Sequence, residues 1–284
     1  MSNGALFQQD LITLVAFLGL YVVVMVVARF LNDRFTPYNL TEMLAVKDNP
    51  AIGLSLSGYM LASTLTFMGA LLGPSSGDLF HDLMVVGGYS LLGLLFLNLA
   101  RWILDHLLLN QFNNLTAIVE QCNMAMASVR FGLYIATGLI VGGALHGEGG
   151  GPGTAALFFI LGQGVLILFS RLYDWVTPYP LQQHIEQGNV AAGIAFAGAI
   201  ASLGILIGKG ISGQFFGWWD HLIQFVEISI VGMVLLMMVR FVVDHLLLPG
   251  HDLNDEIAQD KNMAAGWVEM SGTVGFALLL SVLL

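Results

Sequence analysis

Charge is what this chain has least of. Only 10% of its 284 residues are Asp, Glu, Lys or Arg, against about 25% in an ordinary soluble domain. With 57% hydrophobic residues and a mean hydropathy of +0.81, it would not stay dissolved in water, so the bilayer must be its solvent. A single cysteine, Cys122, excludes an internal disulfide and any multi-cysteine metal site. The basic residues form no run, which removes the footprint of nucleic-acid binding. The stretch Met1–Asp10 has no Lys or Arg, so the first apolar run reads as a retained span rather than a signal peptide. Alternating apolar and polar residues, the mark of a membrane barrel, are missing from runs such as Leu91–Leu97 and Leu235–Val243. The spans are therefore helices.

A helix needs roughly 20 apolar residues to cross the hydrocarbon. Eight stretches qualify: about 11–31, 50–72, 84–108, 124–145, 155–175, 190–208, 222–248 and 263–284. They are copies of one unit. Each even span opens on a short motif: Asn49-Pro-Ala-Ile-Gly53, Asn123-Met-Ala-Met-Ala127, Asn189-Val-Ala-Ala-Gly193 or Asn262-Met-Ala-Ala-Gly266. Each odd span closes on an Arg/Asp pair: Arg29 and Asp33, Arg101 and Asp105, Arg171 and Asp174, or Arg240 and Asp244. The two halves also align. Arg101-Trp-Ile-Leu-Asp-His-Leu-Leu-Leu109 matches Arg240-Phe-Val-Val-Asp-His-Leu-Leu-Leu248. The expected architecture is an all-α integral membrane protein of eight spans. It divides into a four-span repeat (1–146), a Gly-rich linker (147–153) and a second four-span repeat (154–284). The Gly-rich link lacks the Lys-Ser/Thr of a phosphate-binding loop, and nothing calls for a cofactor or a metal.

The connections after odd spans, with their flanking turns, hold eight of the nine basic residues, and the other side holds Lys209. The positive-inside rule puts those connections in the cytoplasm and both termini outside, in a bacterial inner membrane. Trp102, Trp175, Trp218 and Trp219 fall near span ends, as interfacial anchors do. Hairpins of two spans all enter the bilayer in the same sense, which implies parallel repeats and disfavours inverted-repeat transporter folds. Odd spans are bulky and even spans rich in Gly, Ala and Ser. Small residues let helix backbones approach closely. Even spans are expected at the centre of a quasi-symmetric bundle, with odd spans facing lipid. The segments Leu181–Asn189 and Asp255–Asn262 read as short amphipathic helices at the interface, and the motif Asn as a cap for the following span.

The strings Asp255-Glu-Ile-Ala-Gln-Asp-Lys-Asn-Met-Ala-Ala-Gly266 and Ile185-Glu-Gln-Gly-Asn-Val-Ala-Ala-Gly193 resemble the bacterial domain-of-unknown-function 350 family, the YjfL-like inner-membrane proteins. In the first half Thr41-Glu-Met-Leu44 replaces the acidic start, and Pro50 follows the Asn. The resemblance implies a four-span domain, here in two copies. It transfers no catalytic residue. It also implies a role in envelope maintenance, beside phage-shock-type membrane-remodelling partners.

Arg130 and Glu269 each lie seven residues after a motif Asn, at equivalent places in spans 4 and 8. Opposite charges there suggest mutual neutralisation across the axis, as a buried pair locking the halves. The sharper alternative is a role in ion passage. The Arg/Asp pairs have spacings that share a helix face. They read as intrahelical ion pairs, or as a charged ring around a vestibule. On the outer side, Glu227, Asp220, His221, Asp82 and His81 are candidates for an acidic mouth that concentrates cations. The plainer reading is solvated loop polarity. Gly73-Pro-Ser-Ser-Gly77 matches a nucleophile elbow in letters only, since it joins two spans. No nucleophile and base converge, so the chain reads as a non-enzyme. Two functional readings stay open. One is a path for small cations. The other is a scaffold for a cytoplasmic remodelling partner. The lipid bilayer is the certain partner, and a homo-oligomer is compatible with either reading.

Overall fold

A computed structural model of the chain describes residues 3–107, 113–146, 151–213, 215, 217–247 and 250–284. Of these, the side chains of 3–9, 104 and 244–247 lie outside the description. The described residues are helical, without strands. Eight helices are long and apolar enough to span: α1 (Asn3–Phe35), α3 (Pro50–Leu71), α4 (Leu79–Leu107), α6 (Met124–Leu145), α7 (Gly151–Val176), α9 (Val190–Ile211), α10 (Trp218–Leu247) and α12 (Met263–Leu283). Four short helices join them on one face: α2 (Leu40–Ala45), α5 (Asn114–Val119), α8 (Leu181–Glu186) and α11 (Leu253–Ala258). The sequence suggested two of these connectors, and the repeat supplies all four. Residues 151–153 of the expected linker form the start of α7, and 147–150 lie outside the description.

The even spans are 21 or 22 residues long, which at 1.5 Å per residue matches a hydrocarbon core of about 30 Å. The odd spans run 26 to 33 residues and project beyond it.

Each turn from connector to even span has one construction. The residue before the motif asparagine adopts a left-handed conformation: Asp48, Cys122, Gly188 and Lys261, with φ between 47° and 76°. That bend lets the asparagine N–H return to the connector, as Asn49 N does to the Met43 carbonyl at 3.0 Å. The asparagine Oδ1 then accepts from the first free N–H groups of the span, satisfying orphan donors at its start.

The even spans pack in chain order, α3 on α6, α6 on α9 and α9 on α12. Their contact is backbone to backbone. A Cβ placed on Gly132 would lie 2.5 Å from the Ala197 carbonyl oxygen, and one on Gly193 would lie 2.5 Å from that of Ala125. The odd spans form a second rank behind. There α4 bridges α3 and α6, α7 bridges α6 and α9, and α10 bridges α9 and α12.

The expectation of even spans enclosing a shared centre fails at one end. Burial reaches 89% of the central window for α9 and 72% for α6, but falls to 22% for α12, below the odd span α10 at 28%. The small-residue face of α12, with Ala264, Ser271 and Gly275, is exposed. The repeats form an open row, because each even span has one face for its predecessor and another for its successor, and among the described residues no further even span packs on α12.

Candidate functional site: the charged layer at the connector face

Polar chemistry concentrates where odd spans end and connectors begin. Each motif asparagine does two jobs there. While Oδ1 caps its own span, Nδ2 donates to the end of the next repeat's connector. Asn49 reaches the Ile118 carbonyl at 2.9 Å, Asn123 that of Ile185 at 2.8 Å and Asn189 that of Ile257 at 2.8 Å. Sequence reasoning found the cap and missed this clasp, whose only trace was an amide rather than a Ser or Asp at every copy. Asn262 has no following repeat and turns back to Glu256 Oε2 at 2.8 Å.

The Arg/Asp pairs do not form the expected intrahelical bridges. Among the described residues, Arg29–Asp33, Arg101–Asp105 and Arg171–Asp174 make no ion pair, and the Asp244 side chain lies outside the description. The described members bond outward instead. The arginine reaches back to the end of the preceding odd span. Arg101 donates to the Phe35 carbonyl at 2.7 Å, Arg171 to the Leu107 carbonyl at 2.9 Å, and Arg240 to Thr177 Oγ1, just past α7, at 2.6 Å. A cation at a helix C-terminus meets orphan carbonyls and the negative end of the dipole. That outweighs an exposed i,i+4 pair worth about 0.3–0.5 kcal/mol. The aspartate holds its own connector. Asp33 accepts from Leu40 N at 3.4 Å and Asp174 from Gln182 Nε2 at 3.2 Å. These residues do not ring a vestibule; they stitch one hairpin to the next.

Arg130 and Glu269 do not neutralise each other. Each takes its partner from the odd span just before it. Arg130 donates to Asp105 Oδ1 at 2.7 Å. Glu269 is fully buried, accepts from the Tyr173 hydroxyl at 2.8 Å and lies 3.5 Å from Arg240 Nε. Arg240 is the hub of this second cluster. Besides Thr177 it donates to Asn254 Oδ1 at 2.8 Å, and its guanidinium lies 4.9 Å from the centre of the Tyr173 ring. The opposite signs at the equivalent sites therefore select opposite members of the preceding pair: the Asp in the first half, the Arg in the second. The first cluster borders a cleft of about 450 Å³ lined by Tyr38, Arg101, Trp102, Asp105 and Arg130.

The outer candidates are not all at one place: His81 and Asp82 line a cavity of about 1250 Å³ beside α1 and α3, and His221, Asp220 and Glu227 do not line it. Asp82 accepts from Ser75 Oγ at 2.5 Å and from Ser76 N at 2.8 Å, closing the turn before α4. His81 N donates to Asp78 Oδ1 in the same turn. His221 is buried against the rings of Phe158 and Phe215, while Asp220 and Glu227 are exposed on α10. Among the described residues no group of three His, Cys, Asp or Glu side chains gathers as a metal site would require.

The two halves, each with its own charged cluster, coincide with two matches to one family model, the Domain of Unknown Function DUF350, over residues 5–145 and 149–284. The chain belongs to the DUF350 family. It is similar to the UPF0719 transmembrane protein YshE of Bacillus subtilis (strain 168), at 27% identity over 116 residues, or 41% of this chain and 81% of that one. No solved structure matches. For the DUF350 unit the geometry adds a physical definition. It is two hairpins with two connectors, closed inside by one asparagine clasp, one arginine clasp and one neutralised charge seven residues into its second even span.

Proposed function

We propose that this multi-pass membrane protein is a non-enzymatic scaffold that offers a fixed row of short helices to a basic partner on the connector side, the cytoplasmic side by the positive-inside rule. The observation that supports it most is the way the connectors are held. Each is bonded to its own odd span, its own even span or the preceding repeat, and the row presents exposed carboxylates outward: Glu42, Glu120, Glu186, Asp255 and Asp260. The connectors carry more carboxylates than cations, with Lys47 (3.2 Å from Glu42) and Lys261 among them, and a fixed, net acidic ledge pre-organises recognition and costs little ordering entropy on binding. A membrane-remodelling protein of the phage-shock type is the partner class that the family resemblance implies. Charge reversal at Glu120, Glu186 and Asp255 together should abolish retention of such a partner while leaving the membrane-embedded protein intact. Retention that survives the reversal refutes the scaffold.

A second reading, passage of small cations, rests on Glu269, a buried carboxylate in a span with Oε2 unbonded. Among the described residues, neighbouring even spans approach backbone to backbone, which weighs against a path between them within one chain. Cation flux in proteoliposomes that disappears in Glu269→Gln would move the assignment from scaffold to conduction. Proteoliposomes that pass no ion would end the conduction reading.

A further inference from the structure

The row of described spans presents uncovered small-residue faces at both ends, and we propose that a second copy of this chain covers them. The α12 face of one copy docks on the α3 face of the next, head to tail, and continues the row of even spans. This assembly is independent of the scaffold reading.

The faces come first. Residues two, nine and thirteen places after the motif asparagine meet the next even span. In α3 these are Ala51, Gly58 and Ala62, and in α6 Ala125, Gly132 and Ala136; all are buried. Their counterparts in α12, Ala264, Ser271 and Gly275, are as small and are exposed, and a Cβ on Gly275 would meet nothing within 4 Å. The receiving face of α3 is open in its connector half, while farther along Thr64 is covered by Tyr21 of α1, whose hydroxyl it meets at 2.9 Å. At Gly193 and Gly266, a Cβ would stand 2.5 and 2.7 Å from the carbonyl oxygens of Ala125 and Ala191. At the equivalent Gly53 it would meet only Leu44 of its own connector, at 3.8 Å. Exposed apolar atoms carry no weight in lipid. The weight lies in end faces that keep the interior composition in their connector half, where soluble repeat arrays finish on altered capping repeats; in the outer half Thr64 and Met68 stand where α6 and α9 have Gly138, Gly142, Gly204 and Gly208.

The two clasps are interrupted at the same ends. Asn262, lacking a following connector, folds back on Glu256. The matching acceptors at the start of the row, the Leu44 and Ala45 carbonyls of α2, receive no asparagine among the described residues. Arg29, lacking a preceding odd span, turns to Thr41 of its own connector at a long 3.4 Å. Asn262 of one copy reaching the α2 carbonyls of the next would restore the pattern used three times within the chain. α1 is the least covered of the spans, with 11% of its window buried, because it too lacks a neighbour on that side. The relative YshE is little more than one unit long, since 116 matched residues are 81% of it. In a chain of that size, any unit-to-unit contact could form only between chains. Such a contact is heterologous, so it closes into a ring or extends as a filament.

The lone cysteine makes the test direct. In a Cys122→Ser background, Ser57→Cys and Ser271→Cys go into separately tagged chains that are co-expressed and oxidised in native membranes. These two positions repeat the Gly132–Ala197 contact, where a Cβ on the glycine would lie 2.8 Å from that of the alanine. The expected product joins the two tags, and a chain carrying both cysteines gives a ladder of multiples. Homotypic 57–57 or 271–271 products, a 57–271 bond within one chain, or no bond at all would overturn the proposal. Bleaching-step counts in native-membrane nanodiscs provide the second readout. The parent should show at least two copies per particle, and Gly275→Trp, at a site where an added Cβ meets nothing within 4 Å in one chain, should reduce the count to one. Parent particles holding one copy, or a count unmoved by Gly275→Trp, refute it.

Discussion

Substituting the four motif asparagines one at a time by alanine separates their two roles. Losing the cap costs about 1 kcal/mol at each site. At Asn49 and Asn189 the substitution also strands a carbonyl of the neighbouring connector, at Ile118 and Ile257, whereas Ile185, the partner of Asn123, still accepts from Gly188 N at 3.1 Å. Asn49, Asn123 and Asn189 are 3%, 6% and 0% exposed, so water does not replace the lost donor. A buried group left unsatisfied costs about 1–3 kcal/mol. Asn49→Ala and Asn189→Ala should therefore each cost about 2–4 kcal/mol, summing the two penalties, with Asn123→Ala between these and the loss of the cap alone. Asn262→Ala, whose Nδ2 only touches the side chain of Glu256 in its own repeat, should cost about 1 kcal/mol. Unfolding free energies by steric trapping in bicelles resolve that gap. Asn189→Asp sharpens it. Its Oδ1 still caps α9, yet it has no N–H for Ile257 and turns a carboxylate toward that carbonyl. It should be at least as damaging as Asn189→Ala, whereas a role limited to capping predicts near parental stability. Equal losses at Asn189 and Asn262, measured below the assembly threshold, would refute the clasp.

Other expectations follow from the same contacts. Arg240→Met leaves Glu269 buried without its counter-ion and should cost about 3–5 kcal/mol, with the double variant Arg240→Met/Glu269→Gln recovering much of it; a double-mutant cycle measures the recovery. Gly204→Leu forces apart α6 and α9, where a Cβ would already overlap Ala136, and should cost about 1–3 kcal/mol or more, while Gly164→Leu, with nothing within 4 Å, should stay within about 0.5 kcal/mol by thermal melting. His184, on α8, has its pKa held below the usual value by burial and then by the charge of Lys261, and its Nδ1 accepts from Asn189 Nδ2 at 3.1 Å. Protons therefore favour the unfolded chain: the stability is complete above the ordinary value of 6.5 and declines as pH falls below it. A melting-temperature profile from pH 8 to 5 should show that decline, and His184→Gln should flatten it.

The eight spans, their pairing into hairpins and the common sense of those hairpins were legible in the sequence, since hydropathy and a repeated asparagine are local signals. The partners of Arg130 and Glu269 were not. An axis relating the halves set these two charges opposite each other, but an open row gives each residue only its immediate neighbours. The clue lay in the repeat itself, because the Asp105 and Arg240 that neutralise them belong to the same recurring pair. The Arg/Asp spacing misled for a similar reason. Sharing a helix face permits a bridge, yet the last turn of a helix offers carbonyls that an arginine prefers. The left-handed residue before each asparagine had no sequence signature, as Asp48, Cys122 and Lys261 stand where only Gly188 is a glycine.

A helical pair that begins and finishes on one side of the bilayer can be gained or lost without inverting anything downstream. Gene fusion between adjoining copies therefore needs no crossing segment, only a short tether from the end of α12 to the start of another α1. Growth in steps of two spans is topologically free for this architecture, whereas an odd-numbered module would reverse its neighbour and break every clasp beyond the join.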